Sequence, residues 1–303
     1  MNSKKVMDSK LILSALVLSS LLFLGCGTGN QIGPEVDDSK TGVKELALSS
    51  DTFPQAVFAN SQIQGTFTLK NNAGYDAENV QIKLLGLDRN YVELPSETEP
   101  ITILPGRSLF SKEGGEEIIA FRGTVKNLAK GADQNTQRYL VLVTYSSKVE
   151  FSPTVCVDSG LYLVGSGCNF KEIGAGGKKR PTPETFSGQG APVAFNNLEI
   201  IPYTGTESEI ELRMKVADRG RGQIKLLRLG RSALGSIPLQ CEFHGKNVER
   251  PEGVIFNEKA SSQEVDIVCS GKLESGVAYK TALFIELFYD YEFTENRNLE
   301  IRR

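Results

Sequence analysis

An all-β fold in two sandwich domains is predicted by three observations. Apolar and polar residues alternate with the period of a half-buried strand, turn signals recur at short spacing, and no segment past residue 25 carries a helical apolar stripe of ten residues or more. Ile63, Phe67 and Leu69 share one face, with Gln62, Gln64, Thr66, Thr68 and Lys70 on the other, and Asn71-Asn72-Ala73-Gly74 follows as a turn. Val80, Ile82 and Leu84 repeat the pattern, and Ile119, Phe121 and Val125 predict another strand. Arg138 to Tyr145 is apolar on both faces, as a central strand is.

The second half behaves in the same way. Ile210, Leu212, Met214 and Val216 alternate with Glu211, Arg213 and Lys215. Leu239, Cys241 and Phe243 share a parity, as do Val265, Ile267 and Cys269, so both cysteines are expected to point inward. Leu283, Ile285, Leu287, Tyr289, Tyr291 and Phe293 predict a long final strand or a strand pair. Gln137–Phe151 aligns loosely with Lys280–Phe293, each a two-faced apolar strand running into an aromatic, acidic stretch that closes its half. Halves of about 110 residues each suit one immunoglobulin-like sandwich.

The chain opens differently. Lys4, Lys5 and Lys10 precede the apolar run Leu11–Leu24, then Gly25-Cys26. A basic start, a short apolar run and a small residue before a break are the parts of a secretory signal. As a helix the run reaches roughly 21 Å, short of the roughly 30 Å hydrocarbon core. The leader resembles those of bacterial and archaeal lipoproteins, with Gly25-Cys26 closing the lipobox and Leu24 standing where the family has a small residue. The resemblance implies a diacylglyceryl group on the Cys26 thiol, cleavage before Cys26, and an anchor to the membrane. Residues 27–42, rich in Gly, Asp and Pro, read as a flexible tether.

The expected organisation is a signal peptide over 1–25, a lipidated N-terminus and tether over 26–42, a first β-sandwich over 43–157, a Gly/Lys/Pro-rich linker over 158–191 and a second β-sandwich over 192–303. Of the five cysteines, Cys26 takes lipid, leaving Cys156, Cys168, Cys241 and Cys269. An even remainder in an exported chain implies disulfides. Three pairings are open. Cys156 with Cys168 and Cys241 with Cys269 are favoured, because each pair sits within one predicted domain or at its edge.

Most chemical motifs are missing. One histidine, His244, stands beside a Gly turn, and no GxSxG, HExxH or SxxK sequence occurs. The cysteines lack the CxxC spacing of a zinc site. Gly174–Lys179 lacks the spacing of a phosphate loop, and neither Asp37-Asp38 nor Asp133-Gln134-Asn135 has EF-hand spacing. No metal, cofactor or small-molecule ligand is inferred, and the net charge of −3 argues against nucleic acid. Arg219, Arg221, Lys225, Arg228 and Arg231 form a basic cluster, either a solvated face or a contact for anionic lipid or envelope polymer.

The strand-turn-strand stretch Gly65–Leu84 and the opening Ser187–Ala194 resemble CARDB-like and other immunoglobulin-like modules of archaeal cell-surface proteins. That resemblance implies adhesion, envelope or scaffold roles and not a reaction. The sequence-level expectation is therefore a non-enzymatic, lipid-anchored extracytoplasmic protein with a structural, adhesion or protein-binding role. The rivals are a solute-binding lipoprotein of a transport system, disfavoured by the missing helices, and a secreted glycoside hydrolase, which needs only two spaced carboxylates.

Overall fold

Side chains two residues apart fall on one face of an extended chain, so alternating segments satisfy their backbone and bury their apolar face together only by pairing as strands. A computed structural model describes residues 38–50, 52–158, 184–203, 208–245, 253–256, 263–273 and 278–303; the leader, Cys26 and Cys168 lie outside the described residues. Among these residues no helix is long and apolar enough to cross a membrane.

The first half supplies β1 (Leu46–Ser50), β2 (Ala56–Phe58), β3 (Gln62–Asn71), β4 (Ala77–Leu85), β5 (Val92–Glu93), β6 (Thr98–Leu104), β7 (Glu116–Val125) and β8 (Gln134–Phe151). Then come β9 (Thr154–Asp158), β10 (Glu184–Thr185), β11 (Val193–Tyr203), β12 (Ser208–Asp218) and β13 (Gln223–Leu234). The chain ends with β14 (Ile237–Pro238), β15 (Gln240–His244), β16 (Glu264–Leu273) and β17 (Ala278–Arg302). One sheet has the order β1-β3-β7-β5, another β10-β11-β12-β16-β15. The third runs β14-β13-β17-β8-β4-β6, with β2 and β9 also on β17. Their ladders are antiparallel apart from β2 on β17.

The two segments that resemble each other in sequence, β8 and β17, pair with one another in an unbroken antiparallel ladder from Ile285↔Phe151 to Arg302↔Gln134. Strands from both halves therefore share one sheet. The first sheet covers one stretch of it, where Phe67 stacks on Phe53 (5.0 Å) and Phe53 meets Tyr139 of β8 (5.7 Å). The β11 sheet covers another, where Phe195 stacks on Phe151 (4.5 Å). The buried residues of both halves belong to a single apolar cluster, and Asp37–Arg303 is one compact unit.

Parity holds strand by strand. In β8, residues 139, 141, 143 and 145 are buried while Leu140, Leu142 and Thr144 are half-buried, so the stretch that reads as two-faced has one core face and one partly covered face. In β17 the odd positions from Leu283 to Phe293 are all buried.

Two boundaries differ from the sequence expectation. The tether predicted to reach Gly42 is already docked from Asp38: a 3-10 turn spans Asp38–Lys40, Ser39 is buried, and Gly42 bridges to Gln189. Two glycines permit this. A Cβ on Gly190, whose φ is +77°, would stand 2.2 Å from the Ser39 carbonyl oxygen, and one on Gly74 would stand 2.5 Å from it. The predicted linker 158–191 likewise ends in structure, since β10 pairs with β11, and Gln189 and Ala191 are buried. Composition alone reads such glycines as flexibility, whereas here they allow close backbone approach.

Candidate functional site

Near its C-terminal end β17 changes character. Its inner face is apolar through Phe293, then Glu295 and Arg297 occupy the next two inward positions before Leu299 and Ile301 restore the pattern. On the side away from β8, β13 pairs with β17 only as far as Glu292, and β2 resumes at Glu300. Residues 293–299 therefore have no ladder on that side among the described residues. Thr294, Asn296 and Asn298 are exposed there.

A cavity of about 680 Å³ opens at this gap, lined by Phe53, Gln55, Tyr139, Asn296, Arg297 and Arg302 among others. Arg297 lies directly opposite Tyr139 in the β8–β17 register. Burial pushes the Tyr139 hydroxyl up to about 12, with the Arg297 cation pulling against it. The guanidinium Nη2 donates to Glu295 Oε2 at 2.5 Å. Its Nε is buried and has no hydrogen-bond partner among the described residues. Buried donors are nearly always satisfied, and this one is left unanswered behind the cavity wall, out of reach of solvent.

The same edge runs into a polar cluster. Arg221 Nε pairs with Glu45 (3.1 Å), Nη1 with Glu295 (3.5 Å), and Nη2 donates to the Leu46 carbonyl (2.7 Å), with the guanidinium 4.6 Å from the Phe293 ring centroid. Beside it the Tyr291 hydroxyl donates to Asp218 Oδ1 (2.9 Å) and accepts from the Gly222 amide (2.9 Å). The Tyr145 hydroxyl, whose ring centroid is 5.6 Å from that of Tyr291, is buried with no partner among the described residues.

Asp218 is the carboxyl most displaced in this cluster. Burial raises it from 3.8 to about 6, aided by the Glu45 charge and opposed by the Tyr291 and Gly220 hydrogen bonds. The folded chain thus holds this proton through a window in which the unfolded chain has released it, so stability falls as pH rises from about 3.8 to 6. Asp218→Asn keeps the acceptor oxygen and removes the charge. It is expected to raise stability at pH 7.5 by about 1–2 kcal/mol, a figure reduced for partial solvent screening, and to leave stability at pH 4 almost unchanged. Thermal unfolding at the two pH values measures this; equal shifts at both would remove Asp218 as the source.

The basic cluster read from sequence is largely engaged with β17. Besides the Arg221 contacts, Lys225 pairs with Glu292 (2.9 Å), Arg228 with Asp290 (3.6 Å), and Arg231 stands 6.0 Å from the Phe284 ring centroid. Cys241 and Cys269 are bonded and sit opposite each other in the β15–β16 register, with Cα atoms 4.0 Å apart. Cys156, on β9 opposite Lys280, is disulfide-bonded as well, its partner lying outside the described residues. His244 ends β15, exposed. Asp133 meets Arg303 (3.4 Å), and Asn135 accepts from Gln137. Among the described residues no group of three or more His, Cys, Asp or Glu side chains could hold a metal ion. Gly174–Lys179 lies outside the described residues.

Comparison of the chain with protein-family models finds no match, and comparison with curated proteins finds none either. The site therefore stands on its own geometry. Sequence reasoning missed Glu295 and Arg297, although both were visible as charged residues at inward parity in an otherwise apolar strand.

Proposed function

We propose that this chain is a lipid-anchored extracytoplasmic protein, built of two β-sandwich modules fused through one sheet, that binds an extended segment of an envelope partner along the open edge of β17. The observation that carries the binding role is the stretch 293–299, which among the described residues has no ladder on one side and borders a cavity lined by Gln55, Tyr139, Asn296, Arg297 and Arg302. An added strand there would gain main-chain hydrogen bonds, and side chains entering the cavity would confer selectivity. A stretch of that length accommodates roughly 20 Å of extended chain. The anchor rests on the leader and Cys26, the immunoglobulin-like assignment on strand patterning and the paired sheets.

A solute-binding role is the second reading, favoured by a cavity volume within the range of about 300–1,000 Å³ usual for small ligands. The polar lining and the open strand edge favour an extended polymer chain over a small apolar solute.

Both halves of the proposal are testable in intact cells. Cys26→Ser is expected to leave an uncleaved precursor that keeps its leader and carries no acyl mass; unchanged gel mobility and no loss of acyl mass would refute the anchor. A photo-crosslinking residue at Asn296 of the anchored protein is expected to give one discrete protein adduct, absent when the residue is placed at Leu85. Adducts of equal yield at both positions would refute the edge assignment.

A further inference from the structure

The connection from β6 to β7 carries a hydrophobic tip that none of the described residues covers. Phe110 is fully exposed and Leu109 is 39 % exposed. Both lie within a turn closed by hydrogen bonds from the Ser108 amide to the Ser111 carbonyl (2.9 Å) and from the Ser111 amide to Ser108 Oγ (3.0 Å). The base of the loop is equally tied. Gly106 N–H donates to Asp76 Oδ1 (2.8 Å), Arg107 N–H to the Ala73 carbonyl (2.8 Å), and Gly115 N–H to the Pro105 carbonyl (2.7 Å). The loop is thus held in a shape that keeps a phenyl ring in water, against the drive to bury it.

Basic residues stand on both sides of this tip in the chain. Arg107, whose Nε donates to the Lys112 carbonyl (2.6 Å), and Lys112 flank the apolar pair on either side. The nearby carboxylate of Glu113 is taken by Lys70 (2.8 Å). An apolar pair with a cation on either side in the chain suits a bilayer surface, where acyl chains lie beneath anionic phosphates.

The fold also relates this loop to the start of the described chain. Ser39 packs its carbonyl against Gly74, and Lys40 Nζ stands 5.0 Å from the centroid of the Tyr75 ring. Those residues belong to the same segment, 73–76, that fixes the base of the loop through Ala73 and Asp76. Only the residues between Cys26 and Asp38 separate the expected lipid from this point, a reach of at most about 40 Å even if fully extended. Phe58, another exposed ring, lies on β2 opposite Arg302 of β17.

We infer that the Leu109–Phe110 tip inserts into the lipid headgroup layer of the membrane that carries the anchor, so that the chain is held by acyl groups and by a second, non-covalent contact. The inference rests on the anchored reading of Cys26. One point of attachment leaves orientation free, whereas two separated contacts fix which face of the protein meets the bilayer. The open β17 edge would then be presented in a constant direction.

The chain contains no tryptophan, so Phe110→Trp places a sole indole reporter at the tip. The full acylated protein, its acyl mass confirmed, is reconstituted in phosphatidylethanolamine–phosphatidylglycerol vesicles with and without brominated acyl chains. Insertion to about 5–10 Å is expected to blue-shift the emission and to let bromolipid remove about half of it. Phe58→Trp in the same vesicles is expected to be insensitive to bromine. An acylated, vesicle-bound protein whose two tryptophans respond alike overturns the loop assignment. A chain that carries no acyl mass overturns the anchor, and this inference with it.

Discussion

Phe151→Ala is expected to destabilise the whole folded chain by about 3–5 kcal/mol, as truncation of a buried phenylalanine does when its surroundings cannot collapse. Phe151 is the last residue of β8, and its ring stacks on Phe195 of β11 (4.5 Å, interplanar angle 10°) and meets Phe186 edge-on (4.7 Å). Its Cα partner across the ladder is Ile285 of β17. One ring thus joins a strand of the first half to two elements of the second, and the hole left by alanine would be walled by backbone already committed to ladders. Because the buried residues form one cluster and β8–β17 is one unbroken ladder, the loss should appear as a lower midpoint of a single urea transition with unchanged slope. A two-step unfolding curve in which the first half keeps its midpoint would show instead that the halves are energetically separate.

That expectation depends on a pairing that alternation does not encode. Period-two patterning reports which way each side chain faces, and for Ile210, Leu212, Met214 and Val216 the inward faces are buried as read. It also placed Cys241 and Cys269 on inward parity, which is why their bond was legible: directly opposite residues on neighbouring antiparallel strands bring Cβ atoms within reach. Strand partnership is another matter. β8 and β17 are far apart in sequence, and both are apolar enough on one face to sit in the centre of separate sheets. Their mutual pairing follows from matched length and parity along the whole ladder, a property of the pair and not of either strand.

The candidate site was hidden for a related reason. Glu295 and Arg297 read as the polar end of a strand when the apolar run is taken to stop at Phe293. Only the return of Leu299 and Ile301 at the same parity shows that the strand continues and that two charges face inward. The gap beside them depends on where β13 ends and β2 begins, which neither segment's composition records. The docked tether is a third case. Gly74 and Gly190 carry no signal of what approaches them, yet the space left by their missing Cβ atoms admits Ser39.

Asn71→Leu is expected to cost about 3–5 kcal/mol, although the two side chains are nearly the same size. Asn71 is fully buried at the end of β3, and its amide answers three backbone groups. Nδ2 donates to the carbonyls of Tyr75 (3.0 Å) and Leu104 (2.9 Å), and Oδ1 accepts from the Ala73 N–H (2.9 Å). Its own N–H donates to the Gly115 carbonyl (2.8 Å). Leucine would remove all three of these hydrogen bonds from a buried site, and each buried polar group left unanswered costs roughly 1–3 kcal/mol. The segments released are those that hold both Ser39 and the base of the Phe110 loop, so amide exchange at Ala73 and Arg107 should accelerate more than exchange in β12. Asn71→Asp separates hydrogen bonding from shape. At neutral pH it would set a carboxylate against two carbonyl oxygens and should be as damaging as leucine, whereas near pH 4 protonation restores one donor and part of the stability should return. If aspartate and leucine variants show the same midpoint deficit at both pH values, packing and not hydrogen bonding is what Asn71 supplies.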